Sequence, residues 1–117
     1  MDKILNYING EFIESVEKGW INNVDPSIGK VYSLIPDSED KDVEQAVQAA
    51  ELAFDNWSNS SIDYRSKILN NIAKLILKNM EDLARAESID NGKPLSLAKK
   101  IDIPRAAKNM AFFASAI

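Results

Sequence analysis

Few side chains in this sequence can carry chemistry. It contains no cysteine and no histidine, which removes the thiolate nucleophile, disulfides and thiolate metal ligation together. The side chain best suited to moving protons near neutral pH is also missing. What remains are mainly carboxylates, ammonium groups and guanidinium groups, and the ones that read as candidates stand in Glu87-Ser88-Ile89-Asp90-Asn91-Gly92-Lys93-Pro94 and just beyond it, at Arg105 beside Asp102. Asp90 places one acid where the backbone turns, and alone it caps that turn or accepts from a backbone amide. Lys93 follows a single glycine and lacks the nest of amides that cradles a phosphate. Lys99-Lys100 reads as a solvated face, and Arg105, three residues after Asp102, reads as a surface ion pair of small energetic weight. These residues favour a chain that turns nothing over by itself.

The elements that must position them change character near Pro36. Tyr7-Ile8 and Phe12-Ile13 flank Asn9-Gly10, a dipeptide suited to the positive φ angles of a tight hairpin turn. Trp20 to Val24 and Lys30 to Pro36 flank Asp25-Pro26-Ser27-Ile28-Gly29, which predicts a second hairpin. From Asp37 the period lengthens. Val43, Ala46, Val47, Ala50, Ala53, Phe54 and Trp57 fall on one stripe, with Glu39, Asp40 and Asp42 near its start, so a helix is expected from Asp40 to Asn56. Ser60 and Ser61 suit the cap of a second helix through Tyr64, Ile68, Leu69, Ile72, Leu75 and Ile76. Asn79 is expected to interrupt it in the left-handed conformation, with a turn or two more before Gly92 stops the chain. A last helix is expected from Ser96 to Ile117, kinked or started late by Pro104. Helical spacing assigns Trp57, Phe112 and Phe113 to core packing.

With 117 residues, an apolar share of 45% and a charged share of 27%, the chain has the composition of one ordinary globular domain. A net charge of -4 with both signs interspersed argues against a nucleic-acid or anionic-membrane surface. The absence of a long apolar run and of a signal-like start predicts a cytoplasmic protein.

Five strings in order carry a family likeness: Tyr-Ile-Asn-Gly-Glu-Phe at 7 to 12, Val-Asp-Pro-Ser-Ile-Gly-Lys-Val at 24 to 31, Asp-Val-Glu-Gln-Ala-Val-Gln-Ala-Ala with Phe54 and Trp57, Arg65, and Asp-Asn-Gly-Lys-Pro at 90 to 94. Over nearly its whole length the chain resembles the amino-terminal part of an NAD(P)-dependent aldehyde dehydrogenase. Ile28 departs from the small polar residue usual there, which touches the turn and not the chemistry. The resemblance implies an α/β aldehyde dehydrogenase-like fold in its N-terminal part only, with two short β-hairpins in 1–36 and three or four helices in 37–117. It implies that the catalytic cysteine, the glutamate base, the oxyanion-stabilising asparagine and the NAD-binding strands lie beyond position 117. No catalytic or cofactor-binding residue is therefore expected here, and NAD belongs to the full-length family.

Three further expectations follow from the resemblance. Many family members hold a structural monovalent cation, potassium or sodium, which would place Asp90 with the backbone carbonyls of Asn23 and Val24. The start of the last helix lines the aldehyde entrance in the family, which would put Ile101 and Arg105 on that wall. Asp102-Ile103-Pro104-Arg105, with Asn109 and Phe112-Phe113-Ala114-Ser115, is similar to the branch acting on muconic semialdehydes, whose carboxylate a planar guanidinium can bind through two parallel hydrogen bonds. Two readings stand: an aldehyde dehydrogenase portion, inactive alone and completed by the remainder of the fold in a homo-oligomer, or a non-catalytic helical interaction module.

Overall fold

The computed structural model describes residues 1–117. Its strands are β1 (Asp2–Lys3), β2 (Asn6–Ile8), β3 (Glu11–Ile13), β4 (Trp20–Asp25) and β5 (Lys30–Pro36). The helices are α1 (Asp40–Ser58), α2 (Ile62–Lys78), α3 (Met80–Asn91), α4 (Leu95–Leu97) and α5 (Ile103–Ala116), with a π-helical turn at Ala98–Asp102 between the last two. They form two compact units, one of Met1–Asp25 and Gly29–Asn59, the other of Pro26–Ile28 and Ser60–Ile117.

In the first unit, Asn9 at φ 52 and Gly10 at φ 82 close the antiparallel β2–β3 hairpin, a turn with both central residues at positive φ that follows the twist of its strands. β4 and β5 pair antiparallel, and their register steps from Asn23 opposite Ser33 to Val24 opposite Val31, leaving Tyr32 as the extra residue of a bulge. β1, a strand of two charged residues with no apolar alternation to announce it, adds parallel to β5. α1 buries Asp42, whose carboxylate accepts from the amides of Val16 (2.8 Å) and Glu39 (2.9 Å).

The second unit is a helical layer built on small residues. Ser61 caps α2 by accepting from the Tyr64 amide at 3.2 Å. Asn79 does separate α2 from α3, but at φ -102 and ψ 23 and not in the left-handed conformation; its side-chain amide donates to the Leu75 carbonyl at 2.8 Å, which ends the helix without positive φ. α3 then runs for 12 residues, longer than the turn or two expected. α2 packs along α5, where Ala73, Ala107 and Ala114 are buried and the Ser66 hydroxyl donates to the Ala114 carbonyl at 2.7 Å. Ala84, Ala98 and Ile103 form the core beside them, flanked by Ile76, Met80 and Leu95.

Pro104 acts at the start of α5. It has no amide hydrogen, and the backbone reaches it through the π turn, in which the Ile103 amide donates five residues back to the Ala98 carbonyl. Burial departs furthest from the sequence reading. The stripe of α1 forms, yet Val43, Val47, Phe54 and Trp57 are exposed, and so are Phe112, at 63%, and Phe113. Their helical spacing identifies an apolar face but not what covers it, so the assignment of Trp57, Phe112 and Phe113 to core packing is incorrect for this chain.

Candidate functional site

The corner after α3 is built by local hydrogen bonds that only this residue order supplies. Gly92 ends the helix at φ 75 and ψ 7, and its amide donates to the Ser88 carbonyl at 3.0 Å. A Cβ at this position would lie 3.0 Å from Cγ of Pro26, a tight contact that the proline ring would have to relieve. Asn91 accepts from the Lys93 amide at 2.9 Å while donating to Oε1 of Glu87 at 2.7 Å, and the Ser88 hydroxyl donates to the Lys93 carbonyl at 2.6 Å. Lys93 is thus pinned on both sides of its own Cα.

That anchoring aims its ammonium at the π turn. Nζ of Lys93 lies 2.6 Å from Oδ2 of Asp102 and 3.6 Å from Oε1 of Glu87. Both members of the shorter pair are partly covered, with side-chain exposures of 27% for Lys93 and 20% for Asp102. The other oxygen, Oδ1 of Asp102, faces Nη2 of Arg105 at 3.5 Å, the outer limit of a hydrogen bond. Arg105 leaves 66% of its side chain in solvent, and Ile101 is likewise exposed. Lys99 pairs with Glu81, so only part of the solvated Lys99-Lys100 face is unengaged. The pairing of Arg105 with Asp102 read from the sequence is present. The stronger Lys93–Asp102 pair is not visible there, because the partners stand nine positions apart, across Pro94, α4 and the π turn, and no helical spacing rule joins them.

The pair shifts both groups in the favourable direction. The hydrogen bond from Lys93 holds the Asp102 carboxyl below its ordinary 3.8 against the opposing effect of burial, and the same hydrogen bond raises the Lys93 ammonium above 10.5. The stabilisation linked to Asp102 is full above the ordinary carboxylate value, declines as pH falls toward the depressed folded value and is gone below it; that linked to Lys93 is full below 10.5 and declines above it. Denaturant titrations over a pH series should therefore show Asp102→Asn less stable than the parent at neutral pH, with the gap closing under acid. A gap of constant size down to acid unfolding would contradict the linkage.

The resemblance names Asn23, Val24 and Asp90 as ligands of a monovalent cation, for which oxygen atoms are the fitting donors. Asn23 and Val24 of β4 sit opposite the bulge of β5 in the first unit, where the Asn23 side chain donates to the Tyr32 hydroxyl at 2.8 Å and the Ser33 hydroxyl at 3.2 Å. Asp90 is exposed near the end of α3 in the second unit. The three expected ligands are thus divided between the units.

A family model described as the aldehyde dehydrogenase family matches residues 12–117. The chain is 44% identical over 110 residues to the 2-aminomuconic semialdehyde dehydrogenase of Homo sapiens, covering 94% of this chain and 22% of that protein. It is 46% identical over 112 residues to the protein of the same name from Danio rerio, covering 96% and 23%. Among solved structures it superposes on PnpE in complex with nicotinamide adenine dinucleotide with a TM-score of 0.93 and 35% identity, over 98% of this chain and 23% of that one. The chain spans less than a quarter of the length of these proteins.

Proposed function

This chain belongs to the aldehyde dehydrogenase family, and we propose from that premise that it is the amino-terminal part of an enzyme oxidising a carboxylate-bearing semialdehyde to its acid with NAD. The observation that carries the reading is Arg105, a guanidinium two-thirds in solvent and held only at 3.5 Å by one oxygen of Asp102. Such a group can turn to an incoming carboxylate and bind it through two parallel hydrogen bonds at little cost. The names of the human and zebrafish relatives, both semialdehyde dehydrogenases, support the substrate class, and the dinucleotide complex of PnpE supports the cofactor.

When bound, nicotinamide supplies the hydride acceptor. Aldehyde oxidation of this kind also needs a thiolate to add to the carbonyl and a base to activate water against the resulting thioester. With no cysteine in this sequence, the thiolate must come from the remainder of the fold, and this chain is inactive by itself. What its own residues do is orient: Arg105 fixes the far carboxylate, and Ile101 contributes apolar surface beside it.

Replacing Arg105 by alanine in the complete enzyme tests this. A semialdehyde with a terminal carboxylate should lose roughly 1.5 to 3 kcal/mol of transition-state stabilisation, which is about ten- to more than a hundredfold in kcat/KM, because a charged hydrogen-bonded pair is removed. A neutral aldehyde of the same length should lose little. Equal losses for the two substrates would sink the assignment.

A further inference from the structure

The geometry around Asp102 points to a second determinant of substrate choice. One carboxylate stands between two cations, and it is not shared evenly: Lys93 takes Oδ2 at 2.6 Å, while Arg105 meets Oδ1 at 3.5 Å. The difference has a structural origin. The backbone of Lys93 is fixed by the Asn91 side chain on one side and the Ser88 hydroxyl on the other, and its ammonium has Glu87 as an additional partner at 3.6 Å. Arg105 has none of these restraints and extends into solvent.

We propose that Lys93 is a positioning residue that sets specificity: by occupying Oδ2 of Asp102 it prevents that carboxylate from closing a two-bond fork on Arg105, and so leaves the guanidinium available to a substrate carboxylate. A carboxylate with both oxygens unoccupied is the best intramolecular competitor an arginine can meet, because the fork matches its geometry and the two are already adjacent. In this structure Oδ2 of the competitor is held by Lys93, and only Oδ1 reaches Arg105, at 3.5 Å. The raised Lys93 and lowered Asp102 titrations accord with a pair in which both groups stay charged. The inference rests on the proposed carboxylate-binding function of Arg105 and extends it to residues that touch no substrate.

The experiment measures, in the complete enzyme, the ratio of kcat/KM for 6-oxohexanoate to that for hexanal, which are six-carbon aldehydes with and without a terminal carboxylate. Lys93→Met should lower this ratio at least fivefold, chiefly through a higher KM for 6-oxohexanoate. Adding Asp102→Asn to Lys93→Met should bring the ratio back to within twofold of the parent, because the freed competitor has lost its charge. A purely structural pair gives the opposite pattern, with the double variant at least as impaired as the single one; that result, or an unchanged ratio in Lys93→Met, overturns the proposal. Should Lys93→Met not fold, Asp102→Asn alone decides: the ratio is expected to hold or rise, and a fall overturns the proposal. Arg105→Ala separates the two levels. If it leaves the ratio intact, the carboxylate-binding reading itself fails and this inference with it; if it lowers the ratio while Lys93→Met does not, only the inference fails.

Discussion

Replacing Asp42 by alanine is expected to destabilise the first unit by about 3 to 5 kcal/mol. Asp42 is 3% exposed, and its two oxygens accept from two backbone amides, Oδ1 from Val16 at 2.8 Å and Oδ2 from Glu39 at 2.9 Å. Alanine leaves both amides without their partner. Each such loss costs on the order of 1 to 3 kcal/mol, and the missing carboxylate also removes a favourable charge from the first turn of α1. Asp42→Asn gives the intermediate case, since its amide oxygen can still accept one hydrogen bond but its nitrogen cannot accept the other. Urea unfolding should rank the parent above Asp42→Asn and that above Asp42→Ala. A cost below about 1 kcal/mol for alanine would mean that solvent reaches the Val16 and Glu39 amides and replaces the carboxylate.

Asp42 also marks where sequence reasoning ends. Glu39, Asp40 and Asp42 all read as acids favoured by the same helix dipole; the bond from the Glu39 amide to Asp42 at the third helical position is local, but the burial of Asp42 is not. Asp42 is singled out by the Val16 amide, 26 residues away, which only the folded chain brings to it. The features that could be read share the opposite property. Asn9-Gly10, Ser61, Gly92 and Pro104 each impose a backbone consequence within a few residues, and the hairpin turn, the cap, the helix stop and the late helix start all occur there. β1 escaped because two charged residues become a strand only through β5. Burial escaped for a different reason. Val43, Phe54, Phe112 and Phe113 have the spacing of core residues and are exposed, because spacing marks an apolar face without fixing what, if anything, packs on it. At the candidate site the sequence carried Arg105 and its neighbour Asp102, but the pairing that restrains Asp102 depends on the Gly92 corner turning Lys93 back toward the π turn.

Gly92→Val is accordingly the substitution that links fold to site, with an expected cost of about 2 to 5 kcal/mol to the second unit. Two independent effects add. The residue sits at φ 75, where a side chain with a Cβ costs roughly 1 to 2 kcal/mol and a β-branched one is strongly disfavoured. A Cβ there also meets Cγ of Pro26 at 3.0 Å, a contact the ring must relieve by a shift of a few tenths of an ångström, and overpacking of this kind costs typically about 1 to 3 kcal/mol. Relief of both requires the 92–94 backbone to rotate, which moves Lys93 away from Asp102 and releases the carboxylate held at 2.6 Å. The stability loss should therefore come with a smaller downward shift of the Asp102 carboxyl, measurable by NMR titration of its side-chain carbon. Gly92→Ala, which keeps the strain but adds less bulk, should show the same two changes to a lesser degree. If Gly92→Val lowers the melting temperature while Asp102 titrates as in the parent, the corner supports α3 alone, and the placement of Lys93 has another source.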